Sequence, residues 1–164
     1  GEYRFLWVDF FESYAQKAQQ AYSDVGNIYM EDWKRYIDKF ESSDALATVA
    51  SYSMTSLDDI NPGNYIVQVY TWEPMPGEFA KSLAAMQEAK MIFEGHGYLI
   101  DIWQHGLGSG NYLQFVMLST SREAQAKSFQ ALLEDQEWAP KQQDWFDKKS
   151  YGRLVESYEV TALD

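Results

Sequence analysis

The sequence predicts an α+β protein in which antiparallel strands carry helices on one face. Three observations lead there. First, a ten-residue stretch occurs twice. Val49–Asp58 (VASYSMTSLD) returns as Val155–Asp164 (VESYEVTALD) at an offset of 106 residues, with six of the ten pairs identical. Ordinary composition gives less than one such match by chance. Second, further matches extend upstream at an offset of 109: Tyr3 with Tyr112, Ala15 with Ala124, Gln16 with Gln125, Asp38 with Asp147 and Lys39 with Lys148. Residues 3–58 and 112–164 are therefore expected to be two copies of one strand–helical region–strand unit. Third, from Tyr65 onward the hydrophobic period switches between two and 3.6 in the order strand, helix, strand, strand, helix, strand.

Taken in order, Tyr3–Val8 (YRFLWV) is β-rich and apolar on both faces, as a buried strand would be. Phe11–Phe40 is helical in character, broken at Asp24–Asn27, and Trp33, Ile37 and Phe40 share one helix face. A strand follows near Thr48–Leu57. The turn-rich connector Asp58–Asn64 (DDINPGN) divides the chain into a half repeat at 2–60 and a complete domain at 61–164. Tyr65–Trp72 (YIVQVYTW) is the clearest strand. Pro74–Gly77 ends it and opens a helix on which Phe79, Leu83, Met86, Lys90 and Phe93 fall at helical spacing. Gly95-His96-Gly97 closes that helix. Tyr98–His105 and Tyr112–Leu118 are strands, joined through the hairpin-length loop Gly106–Gly110. Ser121 is a fitting N-cap for a helix carrying Phe129, Leu132 and Leu133. A further helical piece, 135–149, holds Trp138, Trp145 and Phe146, read as helix-to-sheet packing. Leu154–Leu163 is the last strand.

Composition narrows the partners. The chain has 164 residues, 46% of them hydrophobic, enough for a core in one domain or two small ones. A net charge of −12 repels a phosphate backbone, so no nucleic-acid partner is expected. There are no cysteines, which removes disulfides, thiol nucleophiles and thiolate metal sites and leaves the compartment open, with the cytoplasm slightly favoured. No apolar run reaches the ~20 residues of a membrane span, so a soluble protein is expected. Gly1 reads as an expression scar, and no basic-then-apolar leader follows it. Aromatic residues are 16% of the chain, which favours an aromatic-lined surface or interface.

The β-α-β-β-α-β order is the split βαβ, ferredoxin-like arrangement. An antiparallel sheet covered by helices on one face and aromatic on the other resembles the dimeric α+β barrel superfamily, which includes stress-responsive barrel proteins, antibiotic-biosynthesis monooxygenase-like proteins and related cyclases. The resemblance spans about 61–164 fully and 2–60 as half a repeat. It rests on element order and length and matches no family motif. It implies a ligand cleft on the sheet or between sheet and helices, and self-association as a homodimer. The N-terminal copy departs from the family, since the first strand of its repeat is missing. A fragment of a two-repeat protein is the favoured explanation, and a natural one-and-a-half-repeat chain is the other.

Alternation within strands proposes one face for a site. Gln68, Tyr70 and Trp72 are assigned to it from the first strand of the complete domain, with Asp101, Trp103 and His105 from the second, Tyr112 and Gln114 from the third, and Tyr158 from the last. The opposite face (Val67, Val69, Ile100, Ile102, Phe115, Met117) is expected to meet the helices. His105, Tyr70 and Asp101 are the candidate catalytic groups. Gln68, Trp72, Trp103, Gln114 and Tyr158 are the candidate ligand-binding groups. Against this stands the reading of the same face as an aromatic association surface, which carries somewhat more weight. His96 is expected only to meet helix-terminal carbonyls. No metal spacing is present, and the Gly106–Gly110 loop precedes no helix, so it is not a phosphate loop. The leading function is a module that binds a small apolar or aromatic molecule or associates with itself. The alternative is a cofactor-independent monooxygenase or cyclase acting on a small aromatic or polyketide-like substrate, with no metal or cofactor required.

Overall fold

Five stretches pair into one antiparallel sheet in the computed structural model, which describes residues 15, 51–53, 65–105, 110–147 and 151–161, those at 51–53 and 145–147 through their backbone. The chain divides into two units, residues 1–48 and 49–164. Of the first, residue 15 is described and is helical. The strands and helices predicted over 3–8, 11–40 and 54–57 lie outside the described residues.

The second unit runs β1 (Ser51–Ser53), β2 (Ile66–Pro74), α1 (Phe79–Gly95), β3 (Leu99–His105), β4 (Leu113–Ser119), α2 (Arg122–Glu134), α3 (Trp138–Asp147) and β5 (Gly152–Val160). The sheet order is β1-β3-β4-β2-β5, and every pairing is antiparallel. β2 and β3 flank β4 and so run parallel to each other, joined by α1. β4 and β5 flank β2 in the same way, joined by α2 and α3. Two interleaved βαβ halves of this kind are the ferredoxin-like fold predicted from the element order. The addition is β1, which extends the sheet beyond β3 with Ser51 opposite His105 and Ser53 opposite Trp103. Tyr52 and Tyr158, matched in the repeat, thus lie in strands at opposite edges of one sheet, while Leu57 and Leu163 are outside the described residues.

Local chemistry explains the boundaries. Ser121 is extended, and its hydroxyl accepts the Ala124 amide at 3.1 Å, so the predicted N-cap of α2 is present. Gly97 turns the chain out of α1 with φ +90, a conformation costly for any residue with a Cβ. α1 buries Ser82, Met86, Ala89 and Phe93 on one stripe, and Lys90 lays its stem along the edge to donate from Nζ to the Ile100 carbonyl at 2.6 Å. At the start of β5 a Cβ on Gly152 would stand 2.9 Å from the Glu73 carbonyl oxygen, so the close approach of β5 to the end of β2 requires glycine there. A register shift at Thr71/Trp72 bulges the β2–β5 ladder. No helix among the described residues is long and apolar enough to cross a membrane.

Cross-strand partners share a face of the sheet. Tyr70, Phe115 and Ile102 form one line across β2, β4 and β3; Val69, Val116 and Asp101 form the next. The first line belongs to the core packed under the helices, together with Ile100, Leu113, Met117, Phe93 and Trp138. The second belongs to a separate cluster on the far face, with Val67, Leu118, Trp103 and Tyr158. The structure therefore corrects the sequence reading at β2. Gln68, Tyr70 and Trp72 point to the helices, and Val67 and Val69 point away. The phases of β3 and β4 are as predicted. The physical reason is that all seven residues of β4 are buried, so both faces of the sheet centre are core. A strand whose two faces are both buried shows two side-chain sets by period two, but period two does not say which set meets the helices.

Candidate functional site

The hollow of the molecule lies between the sheet and its helices. A cavity of ≈ 570 Å³ is floored by Gln68, Tyr70 and Trp72 of β2, Phe115 and Met117 of β4, and Glu159 of β5. Ala89 and Phe93 of α1, with Tyr98 just beyond it, form one wall. Gln125, Ala126, Phe129, Leu132 and Leu133 of α2 form the other, and Trp138 and Gln142 of α3 complete it. Among the described residues seven aromatic side chains reach this space, which is in the size class that takes drug-sized molecules.

The space follows from how α2 is attached. Of its thirteen residues, only Ser128 and Leu132 are buried. Phe129 and Leu133, one turn apart, stay about half exposed at 53% and 54% while lining the cavity, so the apolar wall reaches the solvent there. Polar contacts hold both ends of the helix. At its N-terminus Arg122 Nη1 pairs with Glu159 Oε1 at 2.5 Å, and Gln125 Nε2 donates to Glu159 Oε2 at 2.9 Å. At its C-terminus His96 Nε2 lies 2.7 Å from Asp135 Oδ2, while the Glu137 amide donates to Asp135 Oδ1 at 2.7 Å. His96 thus meets a side-chain carboxylate and not the terminal carbonyls expected for it. These contacts hold Asp135 below the ordinary carboxylate range, the His96 bond first and the Glu137 amide second.

The polar groups of the cavity gather toward Glu159. Gln68 is its register partner on β2. The Tyr98 hydroxyl reaches the Gln125 carbonyl at 3.4 Å. Burial raises the Tyr70 phenol, and the negative charge of Glu159 raises it further; burial also raises Tyr98, with Tyr70 as the second cause. Both phenols therefore remain protonated donors through the neutral range.

The remaining predicted site residues form a second group on the far face. The Asp101 carboxylate, 4% exposed, accepts the Ile102 amide at 2.8 Å and the Trp103 indole N–H at 2.5 Å. Gln114 Nε2 donates to Thr71 Oγ1 at 3.2 Å, and a Gln114 hydrogen bond partly offsets the rise that burial and Glu156 impose on Tyr158. By alternation His105 belongs with Asp101 and Trp103. Its ring meets Tyr112 edge-on at 5.3 Å, and among the described residues neither ring nitrogen has a hydrogen-bond partner. The structure brings Gln68, Tyr70 and Trp72 together in the cavity. Asp101, Trp103, Gln114, Tyr158 and His105 stand on the other side of the sheet, so the expected pairing of His105 with Tyr70 is not formed. At the centre of the far face Val69, Thr71, Asp101, Gln114 and Val116 are buried. Among the described residues no group of three His, Cys, Asp or Glu side chains is placed to hold a metal.

Sequence reasoning missed the α2 and α3 contributions. The run Ala126, Phe129, Leu132, Leu133 signals an apolar stripe, but the exposure of Phe129 and Leu133 depends on how far α2 stands off the sheet.

No protein-family model matches the chain, and no curated protein does. Solved structures similar to it include two of the NIPSNAP type. One is a NIPSNAP family protein with unknown function from Agrobacterium tumefaciens, at 17% identity and TM-score 0.49, covering 61% of this chain and 89% of that one. The other is an uncharacterized NIPSNAP-like domain protein from Burkholderia xenovorans, at 17% identity and TM-score 0.41, covering 62% and 86%. The ferredoxin-like assignment stands on the strand order and pairing described above.

Proposed function

We propose that this unit is a binding module for a small apolar or aromatic molecule, held between the sheet and α2. The observation that carries the proposal is the ≈ 570 Å³ cavity with seven aromatic side chains around it. The space opens to solvent at Phe129 and Leu133, so its apolar lining stays in contact with water until something covers it. A ligand that enters packs on the aromatic lining and covers the exposed parts of Phe129 and Leu133. The monooxygenase or cyclase reading would use the same space, with Tyr70 among its lining residues and His105 not.

The test is titration with N-phenyl-1-naphthylamine, an uncharged probe that brightens in apolar surroundings. Saturable binding at one probe per chain is expected, with a rise in melting temperature because the probe is taken up by the folded state. Ala126→Trp, at an exposed position on the cavity wall, should abolish that binding by filling the space and leave the fold in place. A linear, non-saturating signal, or binding unchanged in Ala126→Trp, would overturn the proposal.

A further inference from the structure

The cavity has a polar end, and its chemistry narrows what enters. Glu159 is the charged side chain among its lining residues, and both its oxygens are engaged, one by Arg122 and one by Gln125. An incoming cation would have to displace both. An incoming carboxylate would give up its hydration and meet no free cation at this end, since Arg122 is committed to Glu159. The Tyr98 hydroxyl is turned to the Gln125 carbonyl. Among the described residues no hydrogen bond engages the Tyr70 hydroxyl, which sits between these groups on the cavity floor. A half-buried phenol in that position donates to water until the acceptor of a ligand replaces it.

We infer that the cavity selects an uncharged molecule with an aromatic or alicyclic body and one accepting oxygen, a ketone, ester or ether, which receives the Tyr70 hydroxyl, while Glu159, by holding Arg122, leaves a carboxylate without a cation to pair with. This rests on the cavity being the ligand site. It adds a specificity rule and two positions that enforce it. The size of the space fits a body of several fused rings, and Trp72, Phe115 and Phe129 give such a body ring faces and edges to pack on. The phenols stay protonated through the neutral range, so the preference for an acceptor holds there.

Three probes with one skeleton separate the possibilities: naphthalene, 2-acetonaphthone and 2-naphthoate, each titrated at pH 7 by quenching of tryptophan fluorescence. The ketone should bind about fivefold more tightly than the hydrocarbon, the difference one net hydrogen bond makes. The carboxylate should bind most weakly of the three. In Tyr70→Phe the ketone's advantage should disappear, and in Glu159→Gln the penalty on the carboxylate should shrink. If the hydrocarbon and the ketone bind equally to the natural sequence, or the ketone keeps its advantage in Tyr70→Phe, the hydroxyl plays no selective part and the inference falls. If the carboxylate binds best, or Glu159→Gln leaves its penalty unchanged, the role given to Glu159 is wrong. In each of these cases the cavity remains a binding site. If none of the three probes binds, the cavity is not a ligand site, and both the proposal and this rule fail together.

Discussion

β2 separates two environments that use similar residues for opposite ends. On its far side the polar groups satisfy one another: Thr71 receives Gln114, and Asp101, two strands away, receives the Trp103 indole and the Ile102 amide. On its helix side Tyr70 presents a hydroxyl that no described group takes, over a space open to solvent. Buried polar groups are almost always paired, and their pairing costs them the capacity to recognise anything else. On the far face the polar groups between the apolar ones are paired, so it is structure. The near face is mostly apolar and unfinished, so it is the better place for recognition.

The largest expected effect tests that contrast directly. Asp101→Ala would strip the acceptor from two donors at the sheet centre, an amide and an indole N–H, and should lower stability by about 3 kcal/mol. Tyr70→Phe removes a hydroxyl that the protein itself does not use and should change stability by less than about 0.5 kcal/mol. Urea denaturation of both variants measures the pair. Equal losses would mean that the Tyr70 hydroxyl is tied into the protein as firmly as Asp101, and the distinction between the faces would collapse.

The same contrast shows what the sequence could convey. The element order, the N-cap at Ser121, the turn at Gly97 and the phases of β3 and β4 are all written in local residue types, and the fold class follows from them. The site is not local. In YIVQVYTW, Val67 and Val69 make the cleaner apolar set, yet they pack on the far face against Val116 and Leu118, while Gln68, Tyr70 and Trp72 face the helices. The choice depends on register with β4, where Tyr70 falls opposite Phe115, and nothing within β2 encodes that register. The bond between His96 and Asp135 spans 39 residues and was equally invisible, because each residue alone reads as an ordinary helix-end group.

His105 is the exception on the far side, and it gives the next largest effect. Both its ring nitrogens are sealed from solvent with no hydrogen-bond partner among the described residues, so the side chain pays for desolvation and recovers only its packing on Tyr112. His105→Leu should therefore raise stability by about 1 kcal/mol, seen as a shift of the urea midpoint with an unchanged slope. A loss of similar size would show that the imidazole is engaged after all, and would return His105 to consideration as a functional group.

The smallest effect concerns how the helix side is held. Asp135 ties the end of α1, through His96, to the junction of α2 and α3, and it also accepts the first free amide of that junction. Its carboxyl is held below the ordinary range by these contacts, so ionised Asp135 binds its proton less readily in the folded chain than in the unfolded one. The sign follows from linkage: the stabilisation is complete above the unfolded-state value near ~4, and it is lost as pH falls through the depressed folded-state value. Asp135→Asn keeps an acceptor for the Glu137 amide but gives up the charge. Its melting temperature should lie below that of the natural sequence at pH 7, and the two should converge as the pH drops toward 3. The difference between the two proteins is the quantity to follow, since the other carboxylates titrate in both. The side chain keeps about a fifth of its surface in water (21%), so the gap at pH 7 should be narrow and should shrink with added salt. A gap that is the same at pH 7 and pH 3 would mean the contact works through shape alone, and the helix side would then owe nothing to charge at this end of α2.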